Sequence, residues 1–231
     1  MSALHLLSGG AAQGLVESLR PAFEAERHCT VAGTFGAVGA MKQRLLDGAP
    51  ADLLILSRAL IEELAREGHV VPASIRDIGT VPTSVAVRAG DPLPPLATAA
   101  DLQAALGAAD EIHLPDPHLS TAGIHFARVL REQGLWEDLE PRLRPAPNGN
   151  TAMRALAAST ARQPIGCTQA TEILSTPGIV LVAELPPGCA LATTYTVGRT
   201  TRAADAAAAD ALIARLVAED GRDARRRLGF A

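Results

Sequence analysis

The stretch Asp52-Leu53-Leu54-Ile55-Leu56-Ser57-Arg58 predicts a short buried strand that leads directly into a helix. Its run of consecutive apolar residues is typical of a strand covered on both faces, as in a parallel sheet between helices. Similar patterns predict strands at residues 4–7 and 29–34, and helices at residues 11–26, 38–46 and 58–67. This alternation of strand and helix predicts a parallel sheet with right-handed crossovers.

The second half of the chain continues the alternation around a proline-rich loop at residues 90–95. Its last two predicted strands have no helix between them. The predicted strands lie at residues 81–88, 111–114, 164–168, 179–183 and 191–197. The predicted helices lie at residues 99–106, within 118–134, and at 151–158, 203–218 and 222–228. The whole chain is therefore predicted to be α/β.

The composition is that of a globular protein without an excess of basic residues. Of the 231 residues, 48% are hydrophobic, 20% are charged and 3% are aromatic, and the formal net charge is −4. This balance argues against nucleic-acid binding. The three cysteines, Cys29, Cys167 and Cys189, lack metal-ligand spacing and are expected to be small buried apolar residues. We predict no metal and no cofactor, and one large or two small domains.

The start of the chain bears on location. Met1-Ser2-Ala3 carries no basic segment, and the apolar run at residues 4–7 is too short for a secretory leader. No stretch approaches the roughly 18 apolar residues of a membrane span. We predict a cytoplasmic protein without membrane insertion, or a periplasmic one if a leader has been removed.

Small residues recur where a predicted strand meets a predicted helix. Helix N-termini at such positions offer unpaired N–H groups and a partial positive charge, and small side chains let an anion approach the backbone. The sequence therefore predicts a site for a small anion, built mostly from backbone amides. The predicted ligand-binding residues are Ser8, Gly9, Gly10, Ala37, Val38, Gly39, Arg58, Thr121, Ala122, Asn148, Asn150, Thr151, Thr168 and Gln169.

Several segments resemble the periplasmic molybdate-binding proteins of ABC importers. They are the turn at residues 48–53, Asp116-Pro117 with residues 122–124, residues 135–139, residues 143–146, residues 164–166 and the closing residues 228–230. The resemblance covers almost the whole chain. It implies a type 2 periplasmic-binding-protein fold, in which two lobes with mostly parallel sheets flanked by helices are joined by two crossing segments. Lobe 1 would comprise residues 1–82 and 194–231, lobe 2 residues 83–193, and the ligand cleft would lie between them.

The residues that the resemblance assigns to the ligand differ in this chain. The two serines with which that family holds its oxyanion fall on Ala11 and Val38, and its tyrosine falls on Gln169, whereas Ala122 keeps its place. Each lost hydrogen bond to a charged ligand costs about 1.5–3 kcal/mol, so two losses weaken binding about 100-fold or more. We therefore expect a ligand other than molybdate.

The polar groups that are present favour a carboxylate ligand. Arg58 has the planar guanidinium that pairs with a carboxylate in two places, and Ser8 and His118 lie near predicted turns. The first hypothesis is a binding protein for a small di- or tricarboxylate anion. Glu172 follows Gln169 by one turn and is expected only to support that helix.

Three alternatives remain open. One is a cytoplasmic isomerase of a small unsaturated polycarboxylate, similar to aconitate isomerases, with His118 and Ser8 as candidate catalytic residues and no base assigned. Another is the molybdate- or tungstate-binding component of an ABC importer, whose permease would be a partner if a leader has been removed. A ligand-sensing or scaffold protein without turnover is the third.

Overall fold

The structure is a computed structural model that describes residues 3–231. Met1 and Ser2, which belong to the predicted leaderless start, lie outside the described residues. The strands are β1 Ala3–Gly9, β2 Thr30–Gly36, β3 Leu53–Ser57, β4 Arg76–Arg88, β5 Glu111–Pro115, β6 Leu143–Ala146, β7 Pro164–Gln169, β8 Ile179–Glu184 and β9 Ala192–Arg199. The helices are α1 Gln13–Arg27, α2 Val38–Leu46, α3 Arg58–Arg66, α4 Ala99–Ala108, α5 Thr121–Glu132, α6 Trp136–Leu139, α7 Gly149–Ala158, α8 Ala170–Leu174, α9 Ala206–Val217 and α10 Arg222–Arg227.

Contacts divide the chain into two α/β units. Unit 1 comprises residues 3–80 and 193–231, and unit 2 comprises residues 81–192. The chain passes from one unit to the other twice, once within β4 and once at the start of β9. The predicted fold class, a two-lobed α/β protein with helices flanking its sheets, is confirmed.

In unit 1 the strand order is β2-β1-β3-β9, with the first part of β4 beside β9. Strands β1, β2 and β3 are parallel, as predicted, whereas β9 runs antiparallel to β3. The apolar residues 53–56 of β3 are completely buried, which explains why this strand has no alternating pattern.

In unit 2 the order is β4-β7-β5-β6, and β8 pairs with β4. Strands β5, β6 and β7 are parallel, while β4 is antiparallel to both β7 and β8. Phe126 and Leu130 of α5 pack into the core with Ile112 and Leu114 of β5. That packing fixes α5 over the sheet.

Three short elements were not predicted. Strand β6 contains Pro145 and lies at the edge of its sheet, where a missing N–H is tolerated. Helices α6 and α8 have only four and five residues, too few for a helical pattern to stand out. All the helices and strands that the sequence predicted are present, and their ends differ from the predicted ends by a few residues. All three cysteines are buried and unpaired, as expected. Within residues 3–231 no helix is both long and apolar enough to cross a membrane.

Candidate functional site

Each unit gathers helix N-termini at one edge of its sheet. In unit 1 the parallel strands β1, β2 and β3 end side by side, with Gly9 opposite Gly36. A 3-10 turn, α2 and α3 begin at those ends. In unit 2 the parallel strands β5, β6 and β7 lead into α5, α7 and α8 in the same way. The carboxyl edge of an open parallel sheet is where ligands bind in α/β proteins.

At the edge of unit 1, the end of β1 is tightly enclosed. Ser8 is completely buried, and its hydroxyl donates a hydrogen bond to the Gly9 carbonyl oxygen over 2.9 Å. A Cβ on Gly9 would lie 2.8 Å from Val38 Cγ1 and 3.1 Å from Tyr195 Cε1. Gly9 is therefore needed for close packing. The Ser8 hydroxyl is engaged by the carbonyl of the next residue, Gly9, so the structure gives no support to a catalytic role for it.

The other predicted residues of unit 1 lie at the first turns of α2 and α3. The N-caps of these helices, Ala37 and Ser57, make no side-chain capping bond. Arg58 forms an ion pair with Asp77, and its Nε lies 3.2 Å from Asp77 Oδ1. The Thr196 hydroxyl also donates to Asp77 Oδ1, over 2.7 Å. A ligand carboxylate at Arg58 would have to compete with Asp77.

In unit 2 the amides in the first turn of α5 lack hydrogen-bond acceptors in the described part of the chain. Its N-cap, Ser120, makes no side-chain capping bond. No acceptor among residues 3–231 takes the N–H groups of Thr121, Ala122 and Gly123. A Cβ on Gly123 would overlap the carbonyl oxygens of Asp116 and Pro115, so only glycine fits there. This first turn presents three adjacent amides with no acceptor in the described chain.

The loop before α5 positions that turn. The Asp116 carboxylate oxygen Oδ1 accepts hydrogen bonds from the N–H groups of His118 and Leu119, over 2.7 and 3.0 Å. This side-chain turn leads the chain from β5 into the helix. His118 is exposed and lies two residues before the N-cap Ser120. His118, which the sequence offered as a candidate catalytic residue, thus lies in the loop before this turn.

The first turn of α7 is filled by the protein's own side chains. Asn148 accepts from Thr151 N–H with its Oδ1 over 2.9 Å, and from Ala152 N–H with its carbonyl oxygen over 3.0 Å. The N–H groups of Gly149 and Asn150 donate to the carboxyl group of Glu172. All four amides of this turn therefore have acceptors in the chain.

Glu172 is buried and receives two further hydrogen bonds. The Thr168 hydroxyl donates to its Oε2 over 2.5 Å, and the Gln169 N–H donates to the same carboxyl group. Burial raises the pKa of Glu172 to about 7, and the four hydrogen bonds act in the opposite direction. Sequence reasoning missed this arrangement. The available signal was the position of Glu172 at the third residue of α8, from which a glutamate reaches back to the N-cap amide.

The remaining predicted residues of unit 2 also have partners in the chain. The Thr151 hydroxyl accepts from Arg154 Nη2 over 3.0 Å, and Asn150 Oδ1 accepts from the Ser175 hydroxyl over 3.4 Å. Thr168 and Gln169 are buried at the end of β7. The structure thus brings the predicted residues together at two edges, one in each unit, and engages many of them in internal bonds.

Three buried hydroxyl groups of unit 2 were not predicted. Thr83 and Ser84 of β4 lie opposite Gln169 and Thr168 of β7, and Thr171 follows on α8. Their hydroxyl oxygens have no hydrogen-bond partner among the described residues 3–231. A buried polar group without a partner costs about 1–3 kcal/mol. These hydroxyls are therefore candidates to contact a ligand.

Comparisons with known proteins agree with this architecture. The family model of bacterial extracellular solute-binding proteins matches residues 4–231. An aconitate isomerase of a Pseudomonas species is 25% identical over 229 residues, which cover 95% of this chain and 84% of the relative. The molybdate-binding protein ModA of Escherichia coli (strain K12) is 22% identical over 173 residues, which cover 74% of this chain and 66% of the relative.

A solved structure shows the same fold. The periplasmic molybdate-binding protein of Azotobacter vinelandii superimposes with a TM-score of 0.82 at 17% identity, covering 99% of this chain and 98% of that one. The resemblance inferred from the sequence motifs is thereby confirmed. Since the family model covers nearly every residue, the chain belongs to the family of bacterial extracellular solute-binding proteins.

Proposed function

We propose that this solute-binding protein binds a small di- or tricarboxylate anion. The observation that carries the proposal is the first turn of α5, where the amides of Thr121, Ala122 and Gly123 lack an acceptor among residues 3–231. The N-terminus of a helix carries about half a positive elementary charge, so it attracts an anion.

The neighbours of α5 suit a carboxylate group. His118 can add a hydrogen-bond donor beside the first turn, and Thr121 adds a hydroxyl within it. The buried hydroxyls of Thr83 and Ser84 lie on the strand next to β7 and supply further donors in the same unit. A ligand with several carboxylates would use more than one of these groups.

A tetrahedral oxyanion is less well served. Ala11 and Val38 stand where the family resemblance places serine hydroxyls, and both are buried apolar residues. The Ser8 hydroxyl, which is nearby in sequence, already donates to Gly9. Those serine hydroxyls are the donors that the resemblance assigns to a tetrahedral oxyanion, so their loss favours a ligand of another shape.

The test is a binding experiment on a matched pair of proline variants. Thr121→Pro removes the first amide of α5 at a helix position that tolerates proline, and Ala99→Pro does the same in α4, whose N-cap Thr98 is satisfied by a capping box. Thr121→Ala removes the Thr121 hydroxyl and keeps its amide, so it distinguishes the contribution of the hydroxyl to binding from that of the amide. Calorimetric titration would compare citrate, trans-aconitate, malonate, sulfate and molybdate.

We expect Thr121→Pro to weaken carboxylate binding about 10- to 100-fold, the size of one hydrogen bond to a charged ligand. Ala99→Pro should bind as the parent protein does. Binding of molybdate or sulfate alone would contradict the carboxylate proposal and favour an oxyanion-binding component of an ABC importer. Equal affinity of Thr121→Pro and the parent would remove α5 from the site.

A second candidate function is isomerisation of an unsaturated tricarboxylate. It is favoured by the aconitate isomerase relative, which matches 95% of this chain. The reaction takes a proton from the methylene carbon beside the double bond and returns one to the far carbon of that double bond. The double bond then lies between the central carbon and the carbon that lost its proton. His118, beside the first turn of α5, is our candidate for moving that proton.

Proton NMR of trans-aconitate in D2O with the protein tests this candidate. Appearance of cis-aconitate and deuterium at the methylene carbon would support turnover. Loss of both signals in His118→Gln, with binding retained, would assign the proton transfer to that ring. Binding without exchange would leave the chain a binding protein. Location and a permease partner stay predictions, which cell fractionation of the tagged full chain would check.

A further inference from the structure

Glu172 places a carboxylate where a bound anion would otherwise sit. Its carboxyl group accepts from the amides of Gly149 and Asn150 at the start of α7, from the amide of Gln169 at the start of α8, and from the Thr168 hydroxyl. Four donors around one carboxylate are the arrangement that a protein uses to hold an anionic ligand. Here the anion belongs to the chain itself.

Gly149 is matched to this internal anion. A Cβ at this position would overlap Glu172 Oε2 and Thr168 Oγ1, so any other residue would push the carboxylate away from the backbone. Small residues at a helix start let an anion reach the amides. In α7 that close approach serves Glu172, and no first-turn amide is left for an external ligand.

The first turn of α7, which we call the filled turn because Glu172 and Asn148 accept from its amides, and the first turn of α5, which we call the open turn because its amides have no acceptor in the described chain, lie at the same edge of the unit 2 sheet. Strand β5, which leads into α5, lies between β6, which leads into α7, and β7, which leads into α8. Neighbouring strands are about 5 Å apart, so the three strand ends from which α5, α7 and α8 begin lie within about 10 Å of one another. Helix α5 packs in one core cluster and α7 and α8 pack in the other, so the Glu172 carboxylate and an anion held by α5 would approach each other at this edge.

We propose that Glu172 acts as a built-in anion that closes the α7 turn and limits the anionic groups of a ligand that unit 2 can accept. This inference rests on the proposed function, because it requires an anion at α5. Above pH 7, where Glu172 is ionised, a ligand carboxylate at α5 would meet one negative charge at the same edge. A compact dianion such as sulfate would be disfavoured more strongly than one carboxylate of a larger ligand, because its whole charge lies at that edge.

The groups that act on the carboxyl group of Glu172 among residues 3–231 include no charged side chain. Its partners are three amides and one hydroxyl, all of them neutral. A substitution that removes the charge of Glu172 therefore leaves no positively charged partner without its ion pair. The substitution Glu172→Gln changes the charge while keeping the size of the side chain.

The first experiment is calorimetric titration, at a pH above 7 where Glu172 is ionised, of sulfate and trans-aconitate into the parent protein, Glu172→Gln and the control Glu132→Gln. Glu132 is an exposed residue at the far end of α5, so its variant makes the same change of net charge away from the first turns. We expect Glu172→Gln to bind sulfate at least tenfold more tightly, because one pair of like charges about 10 Å apart in a partly buried site accounts for about tenfold and sulfate carries two charges. Glu132→Gln should resemble the parent.

An unchanged sulfate affinity in folded Glu172→Gln, with trans-aconitate still bound by the parent, would overturn the inference and leave the proposed function intact. Failure of every protein to bind either anion would overturn both. If both glutamine variants gain equally for sulfate, the effect is one of net charge, and the inference is wrong.

A second variant covers the case in which Glu172→Gln does not fold. Glu172→Ala removes the internal anion and leaves room for a small one at the α7 and α8 turns. We expect formate to raise the melting temperature of Glu172→Ala by several degrees more than that of the parent or of Glu132→Ala. The absence of such specific rescue would show that the site does not hold an anion, and would contradict the inference.

Discussion

Helices α5 and α7 begin at the ends of neighbouring parallel strands, yet their first turns are satisfied in opposite ways. In α7, Asn148 and Glu172 accept from every first-turn amide. In α5, the N-cap Ser120 makes no capping bond, and three amides have no acceptor among the residues described. The fold supplies both N-termini, and the side chains decide which one remains available to a ligand.

The largest effect should come from breaking the filled turn. Gly149→Ala places a methyl group against the Glu172 carboxylate and the Thr168 hydroxyl, so it disrupts a buried polar cluster. We expect a loss of about 3–5 kcal/mol in the free energy of unfolding, as for a buried charge deprived of its partners. Urea denaturation would measure it.

The control for that substitution is Gly107→Ala in α4, where a new Cβ would meet nothing within 4 Å. Alanine favours the helix, so this variant should gain about 0.5–1 kcal/mol. Equal stability of the two variants would mean that Gly149 does not hold the carboxylate close to the backbone.

The charge of the filled turn can be tested by pH. Since burial raises the pKa of Glu172 from 4.5 to about 7, the folded state keeps its proton at pH values where the unfolded state has lost it. The free energy of unfolding should therefore fall as the pH rises through that interval, by on the order of 3 kcal/mol. Glu172→Gln should lack this part of the slope. Superimposable pH profiles for the two proteins, from denaturant titrations, would contradict the assignment.

The caps offer a smaller and more direct contrast. Asn148→Ala removes a side-chain oxygen that accepts from Thr151, so it should cost about 1 kcal/mol. Ser120→Ala removes a side chain that makes no capping bond, so it should cost only a few tenths of a kcal/mol. Thermal denaturation of the two variants compares the turns. A larger loss of stability in Ser120→Ala than in Asn148→Ala would mean that Ser120 caps α5, which contradicts the account.

The smallest expected effect on stability is at Thr83. Its buried hydroxyl has no partner among residues 3–231, so Thr83→Val should leave the free energy of unfolding unchanged or slightly raised. If that hydroxyl serves the ligand, affinity for the carboxylate should fall by several-fold in the same variant. Calorimetry would then show a loss of binding without a loss of stability, whereas a stability loss would assign the hydroxyl to the fold.

Most strands and helices could be predicted from the sequence because local patterns of apolar and small residues specify them. The apolar runs at residues 4–7 and 53–56, and the small residues after them, mark the strand ends and the helix starts. The antiparallel direction of β9 was not accessible, since strand direction depends on a pairing with β3 that is distant in sequence. Proline at position 145 concealed the edge strand β6.

For the same reason, only part of the candidate site could be predicted from the sequence. Small residues indicated the turn at Gly149, where the Glu172 carboxylate lies against the backbone. They did not reveal that the anion at α7 is Glu172, because its contact with Gly149 spans 23 positions and two helices. Likewise, the ion pair between Arg58 and Asp77 joins α3 to β4, so the sequence could present Arg58 only as an available cation.

The central claim is that α5 receives the ligand and α7 does not. Titration of the isotope-labelled protein with trans-aconitate, followed by amide nitrogen–proton NMR, tests it residue by residue. We expect the amides of Thr121, Ala122 and Gly123 to shift, and those of Gly149 and Asn150 to keep their positions apart from small changes. Large shifts at Gly149 and Asn150 with none at α5 would contradict the account.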